Sequence, residues 1–171
     1  MSDKLLQEVN DGVLLVTFNN PKKKNAFSTA AWLELADILT AAKDNEAVRA
    51  VVMTGAGDHF SSGQDLSDFP VKDENGKLSY QYTEQAFLDF DKPLLMCAKG
   101  LTIGGGGTIL FHADIVYVGE SLRFRLPFAA IGVAPEFGSS YLLQANIGAQ
   151  RAAEILYSAD WLTADQALEM G

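Results

Sequence analysis

Cysteine is nearly missing from this chain: one, Cys97, in 171 residues. A disulfide framework is excluded, and the composition suits a reducing compartment. Cys97 sits in the apolar run Pro93-Leu94-Leu95-Met96-Cys97-Ala98 with no base near it in sequence, and reads as a buried filler rather than a nucleophile. Histidine is scarce too. His59 and His112 have no His, Cys or carboxylate at metal-ligand spacing, so they are expected to be structural, with no metal. Basic residues are the minority, 13 Lys plus Arg against 22 Asp plus Glu, and a net charge of −9 offers no basic stripe to nucleic acid or an anionic membrane. No stretch approaches the roughly 18 apolar residues of a membrane span. Residues 1–8 lack a basic segment followed by an apolar one. Together these absences predict a soluble, intracellular protein with neither nucleic-acid nor membrane partners.

Apolar side chains make up 48% of the chain and charged ones only 20%, enough for a sizeable core. No linker or repeat divides it, which predicts a single domain over 1–171. Residues 4–9 and 13–19 read as strands around the turn Asn10-Asp11-Gly12, a hairpin. From Ser28, an N-cap candidate, Trp32, Leu35, Ala36 and Leu39 recur at i, i+3, i+4 and i+7, predicting one buried helical face to about Lys43. Residues 48–54 and 93–99 read as buried strands, and 70–77 as an exposed loop before a helix over 82–90. Glycines 104–107 open a further helix to His112, two short strands cover 114–118 and 121–125, and Thr163 with Gln166 forms a capping box for a last helix. Strands interleaved with helices in this way argue for an α/β architecture with crossovers.

Two strings combine glycine with the end of a predicted strand. Phe60-Ser61-Ser62-Gly63-Gln64-Asp65-Leu66 is one, and Lys99-Gly100-Leu101-Thr102-Ile103-Gly104-Gly105-Gly106-Gly107-Thr108 is the other. Neither is a Walker loop or a dinucleotide fingerprint. Each glycine in regular structure costs about 0.5–1 kcal/mol relative to alanine, so four in a row imply close backbone approach to another element or a ligand. Two amides delivered by such turns would suit an enolate or tetrahedral oxyanion.

Those two strings, with Asn20-Pro21-Lys22-Lys23-Lys24-Asn25-Ala26, Ala113-Asp114-Ile115 and Gly132-Val133-Ala134-Pro135-Glu136-Phe137-Gly138-Ser139-Ser140, stand in the order and spacing of one family. The chain resembles the crotonase (enoyl-CoA hydratase/isomerase) superfamily over nearly its whole length. The resemblance implies an α/β spiral of repeated ββα units with the family's C-terminal helical region largely missing. It also implies an acyl-CoA substrate with no further cofactor, a homotrimer or dimer of trimers, and a cytoplasmic location, peroxisomal in a eukaryote. By motif position the oxyanion-hole amides would be those of Gln64 and Gly105. Lys24, Ala26, Ser62, Gly63, Asp65, Leu66, Gly104 and Phe128 would lie along the substrate, with Asp65 equally suited to cap a short helix after it. Lys22, Lys23 and Lys24 are a solvated loop on their own; the resemblance sets one or more near CoA phosphates. Phe69, Phe87 and Phe90 are either acyl-tunnel lining or plain core.

Where the family's hydratases carry two glutamates, this chain has Thr108 and Phe128. Glu136 instead matches the single catalytic glutamate of the Δ3,Δ2-enoyl-CoA isomerase branch. The resemblance therefore implies an isomerase that moves a 3-enoyl double bond through a dienolate, with Glu136 as shuttle and its pKa raised by an apolar pocket of Phe128 and Phe137. Two alternatives stay open at this point: a homologue that binds acyl-CoA or a partner without catalysis, and a hydratase- or thioesterase-type reaction using Glu136 on water.

Overall fold

The computed structural model describes residues 3–69 and 71–171; Met1, Ser2 and the first residue of the expected loop, Pro70, lie outside it. Strands β1 (Leu5–Asn10) and β2 (Val13–Phe18) pair antiparallel around Asp11 and Gly12, both at positive φ. Two positive φ angles in a two-residue loop match the right-handed twist of the flanking strands, which is why Asp-Gly closes this hairpin. Parallel strands follow: β3 (Ala50–Gly55) on β2, β4 (Leu94–Ala98) on β3, and β6 (Ile115–Val118) on β4. Helix α1 (Thr29–Asp44) crosses from β2 to β3 and α2 (Ser79–Asp89) from β3 to β4, and the two helices pack on one another.

After each parallel strand the chain passes through a narrower second layer. Its members are Phe27, bridged to Gln64, then Ser61, bridged to Thr102, then β5 (Leu101–Ile103) pairing with β7 (Arg123–Arg125), and finally β8 (Leu162–Thr163). Short helices complete the later turns: α3 (Gly105–Thr108), continued as a 3₁₀ turn to His112, and α4 (Phe128–Ile131). The result is a spiral of ββα units, as the crotonase-like resemblance implies. Its walls are the inward residues of the sheet, Val16, Phe18, Val51, Met53 and Met96, closed by Trp32, Leu35 and Leu39 of α1. No helix among the described residues is long and apolar enough to cross a membrane.

Some expectations need correcting. Strands β3 and β4 are fully buried on one face only, with alternate residues half-buried, so Cys97 on the second face is not a buried filler. The edge strand β6, paired only with β4 among the described residues, exposes all four of its residues. Helix α2 begins at Ser79, where Gln81 folds back onto the Leu78 amide, three residues before the expected start. Helices α5 (Ser139–Ile147) and α6 (Ala149–Ser158) were not anticipated, although α6 buries Ala152, Ile155 and Leu156 at helical spacing. The capping box of Thr163 and Gln166 does start the last helix, α7 (Ala164–Met170).

One buried polar side chain ties the first two turns of the spiral together. Asn25, at φ 56°, accepts from the Asn20 amide at 2.9 Å and donates to the carbonyls of Ala56 at 3.0 Å and His59 at 2.7 Å. Asparagine tolerates this left-handed backbone, and its amide satisfies three main-chain groups. Asn25→Ala orphans all three, at about 1–3 kcal/mol for each that water does not reach. Urea denaturation should show a loss of at least ~2 kcal/mol; an unchanged midpoint would refute this role.

Candidate active site

The site forms where two glycine-bearing loops touch. Gly63 has φ +79°, and a Cβ there would lie 2.5 Å from the Ile103 carbonyl oxygen and 3.0 Å from the Gly105 amide nitrogen. No side chain fits, so the backbone before Gln64 rests directly on the backbone that starts α3. The rest of the loop is fixed by the second layer. Ser61 accepts from Ile103 and donates to Leu101, Phe27 donates to Gly63, and Asp65 donates back to Phe27. Because alternate residues of an extended strand direct their amides to opposite sides, Gln64's own amide faces away from Phe27. Among the described residues neither the Gln64 nor the Gly105 amide donates to a carbonyl oxygen.

The glycine run of the second loop is explained by what crowds it. Gly106 backs onto Ser61, whose carbonyl oxygen would lie 2.6 Å from an added Cβ, and Gly107 backs onto the Phe124 ring at 2.9 Å. Gly104, at φ 52° and ψ −124°, turns the chain into the helix, and its carbonyl receives the amides of Gly107 and Thr108. Thr108 spends its hydroxyl on the Gly105 carbonyl at 3.3 Å.

Glu136 arrives from a distant part of the chain. Its Oε1 lies 3.1 Å from the point a Gly105 Cβ would occupy, and two indole carbons of Trp32 lie 3.0 and 3.3 Å from the same point. Carboxyl, indole edge and Gly105 therefore share one small volume. Trp32 also donates from Nε1 to the Gln64 side-chain oxygen at 2.9 Å, while Gln64 Nε2 donates to the Asp68 carbonyl at 2.6 Å. The helical pattern marked Trp32 only as core; its contact with both loops needed the fold. Burial, and behind it the negative charge of Glu84, pushes the Glu136 carboxyl up to about 7. Trp32 and Glu84 add to the surroundings expected from sequence. Trp32 lines the carboxyl's volume, Phe137 packs behind Trp32 at 5.2 Å between ring centres, and a second carboxylate, Glu84, is nearby. Phe128 is buried in the core.

The remaining sequence candidates separate into two groups. Lys23 pairs with Asp65 at 2.7 Å and with Ser67 at 2.9 Å. Asp65 also accepts from the Ser67 amide and hydroxyl, and its pKa falls to about 2, chiefly through the Lys23 hydrogen bond. No helix follows it; Asp65 closes a turn instead of capping one. Ser62 reaches back to this loop, its amide donating to the Lys24 carbonyl and its hydroxyl to that of Lys23, and Ala26 donates to Lys23 as well. Leu66 is 79% exposed and Phe69 67% exposed, so neither lines an enclosed tunnel, whereas Phe87 is core. His59 Nδ1 accepts from the Leu101 amide at 3.1 Å, and His112 Nε2 lies 3.0 Å from the Phe137 carbonyl, so both rings have structural partners.

The model of the family "Enoyl-CoA hydratase/isomerase" matches residues 8–171. The chain belongs to that family. It is 33% identical over 177 residues to enoyl-CoA delta isomerase 2 of Homo sapiens, covering 99% of this chain and 45% of the human protein. The crystal structure of an enoyl-CoA hydratase/isomerase from Pseudoalteromonas atlantica superposes with a TM-score of 0.92 at 36% identity, over 99% of this chain and 67% of that one. A Thermobifida fusca structure holding acetoacetyl-CoA superposes with a TM-score of 0.86 at 26% identity, over 98% and 71% of the two chains. This crotonase-family chain thus spans under half the length of the human relative.

The raised pKa of Glu136 has a thermodynamic counterpart. Between its ordinary value of 4.5 and about 7 the folded protein keeps a proton that the unfolded chain releases. Stability from this group is therefore highest below pH 4.5 and declines as pH rises through that window. A carbon-13 NMR titration of the Glu136 carboxyl should have its midpoint near 7, and Glu136→Gln should be more stable than the wild type at pH 8. A midpoint at the ordinary carboxylate value would refute the burial argument.

Proposed function

We propose that this chain moves the double bond of a 3-enoyl-CoA thioester to the 2-position, with Glu136 as the one proton carrier. As carboxylate, Glu136 takes a proton from C2, and the C–H electron pair passes into a dienolate whose charge rests on the thioester oxygen. The Gln64 and Gly105 amides hold that oxygen. Glu136 then returns the proton to C4, the thioester carbonyl re-forms, and the double bond stands between C2 and C3. No water is consumed and no group leaves.

One observation carries this reading: the Glu136 carboxyl is held over Gly105, with burial and Glu84 raising its pKa to about 7. A base poised near neutral both accepts and returns a proton at working pH. Hydration would need further acid–base help, and the two positions at which the resemblance would seek it carry a hydroxyl spent on Gly105 and a buried hydrocarbon ring. Coenzyme A is proposed to run along the loop before Ala26, past the Ser62 and Gly63 backbone. With Lys23 engaged by Asp65, Lys24 and Lys22 are the loop lysines proposed to meet its phosphates.

The test is isomerisation of a 3-enoyl-CoA, followed by the absorbance of the conjugated thioester and the product mass. Glu136→Gln should lose at least ~100-fold in kcat/KM, with kcat/KM of the wild type rising with pH through about 7. Near-wild-type turnover in the variant would overturn the role of Glu136. A product heavier by one water would replace isomerisation by hydration.

A further inference from the structure

The indole of Trp32 reaches all three parts of the site along one edge. Its Nε1 donates to the Gln64 side-chain oxygen at 2.9 Å, and the ring carbons that continue that edge, Cζ2 and Cη2, lie 3.0 and 3.3 Å from the point a Gly105 Cβ would occupy. Glu136 Oε1 lies 3.1 Å from the same point. A buried indole N–H needs an acceptor, and any carbonyl would satisfy it. Here the acceptor belongs to the residue whose own backbone amide faces the site.

Gln64 in turn is a strut with both ends taken. While its oxygen accepts from Trp32, its Nε2 donates to the carbonyls of Asp65 at 3.2 Å and Asp68 at 2.6 Å. Asp68 closes the circuit, its carboxylate accepting from the Thr29 amide in the first turn of α1 at 2.7 Å. The main chain on either side of Gln64 is held as well: the Gly63 carbonyl accepts from Phe27, the Asp65 amide donates to Phe27, and the Phe27 ring stacks on Trp32 at 4.1 Å. Trp32 is buried, and its carbonyl receives the Thr83 hydroxyl from α2 at 2.6 Å, so the indole is itself fixed. The Gln64 side chain is spent on holding its loop to α1.

We propose that Trp32 is a positioning residue, whose N–H acts through the Gln64 side chain to hold the Gln64 backbone amide where it and the Gly105 amide reach one thioester oxygen. The proposal rests on those two amides being the oxyanion donors of the proposed isomerase. Such donors stabilise developing charge only when both are aimed at the same atom, and a shift of about 1 Å costs on the order of 100-fold in rate. A rotation of the 63–65 backbone would swing the Gln64 amide off that atom, and the tether to the indole removes this freedom. The ring edge resting on Gly105 fixes the other side of the gap, so one rigid side chain sets the separation of both donors.

Acetoacetyl-CoA reads this separation, because its enolate places charge on the thioester oxygen and needs no proton carrier. Trp32→Phe keeps an aromatic ring against Phe27 and Phe137 and removes the N–H. It should raise the pH midpoint of enolate formation in the bound ligand, followed by the enolate absorbance, by at least about half a unit. It should also lower kcat for the 3-enoyl-CoA at least ~10-fold with KM within about threefold. Gln64→Met leaves the backbone amide and the indole in place and should do the same. The double variant should fall no more than about threefold below the poorer single one, since both changes cut one link. A wild-type enolate midpoint in a folded Trp32→Phe overturns the proposal, even where urea denaturation shows a loss of stability, and so do losses that multiply in the double variant. Should Trp32→Phe fail to fold, the midpoint in Gln64→Met decides alone. A raised midpoint beside an active Glu136→Gln upholds the strut while the isomerase reading falls, and an unmoved midpoint beside an inactive Glu136→Gln does the reverse. No enolate signal from wild type with acetoacetyl-CoA bound removes the two amides as oxyanion donors, and the proposal with them.

Discussion

The contact between Gly63 and the amide end of Gly105 is the constraint on which the rest of the site depends. With a Gly63 Cβ position 2.5 Å from the Ile103 carbonyl oxygen and 3.0 Å from the Gly105 nitrogen, the two loops leave no room for a side chain between them. That closeness is reached only because each loop hangs from its own strand in one parallel layer, Ser61 bridging Thr102 on one side and Phe27 bridging Gln64 on the other. The spiral architecture is thus the means of bringing residues forty positions apart into one backbone cradle. Four glycines next to each other would be a poor start for an isolated helix, and here the crowding by Ser61, Trp32 and Phe124 explains three of them.

Around the cradle runs a continuous series of aromatic contacts. Phe18 meets Phe27 edge-on at 4.8 Å, Phe27 stacks on Trp32 at 4.1 Å, and Trp32 meets Phe137 at 5.2 Å. The series starts in the hairpin and ends beside Glu136, so hairpin, α1 and the loop before α5 share one apolar wall. Such pairs add about 0.5–1.5 kcal/mol each beyond their buried area. That packing offsets the left-handed backbone at Phe137, and the same rings exclude water from the carboxyl. Stability of the wall and the pKa of Glu136 are consequences of one arrangement.

How much of this the sequence displayed depends on how local each feature was. The hairpin, α1 and the capping box of α7 follow from short-range chemistry: Asp11-Gly12, the Trp32 to Leu39 spacing, and Thr163 with Gln166. The two loops and Glu136 were legible only as motifs in order, since nothing in their spacing says that residues 64, 105 and 136 converge. Trp32 and Glu84 were not legible as site residues. Trp32 sits in a perfect core pattern, and Glu84 sits in a helix with several polar positions, where an acid usually faces water. Their roles come from the crossing of α1, α2 and the 136–138 turn, a tertiary fact with no local signature. The half-exposed face carrying Cys97 was misread for the same reason: an apolar run looks alike whether one face is covered or both.

The two glutamates also show why the fold does not bury Glu136 more deeply. A fully dry, isolated carboxyl would hold its proton far above neutral pH and could not serve as a base. A well-hydrated one would be too weak a base to take a proton from carbon. Partial burial against Trp32, with the like charge of Glu84 behind it and no cation paired to it among the described residues, leads to an intermediate affinity.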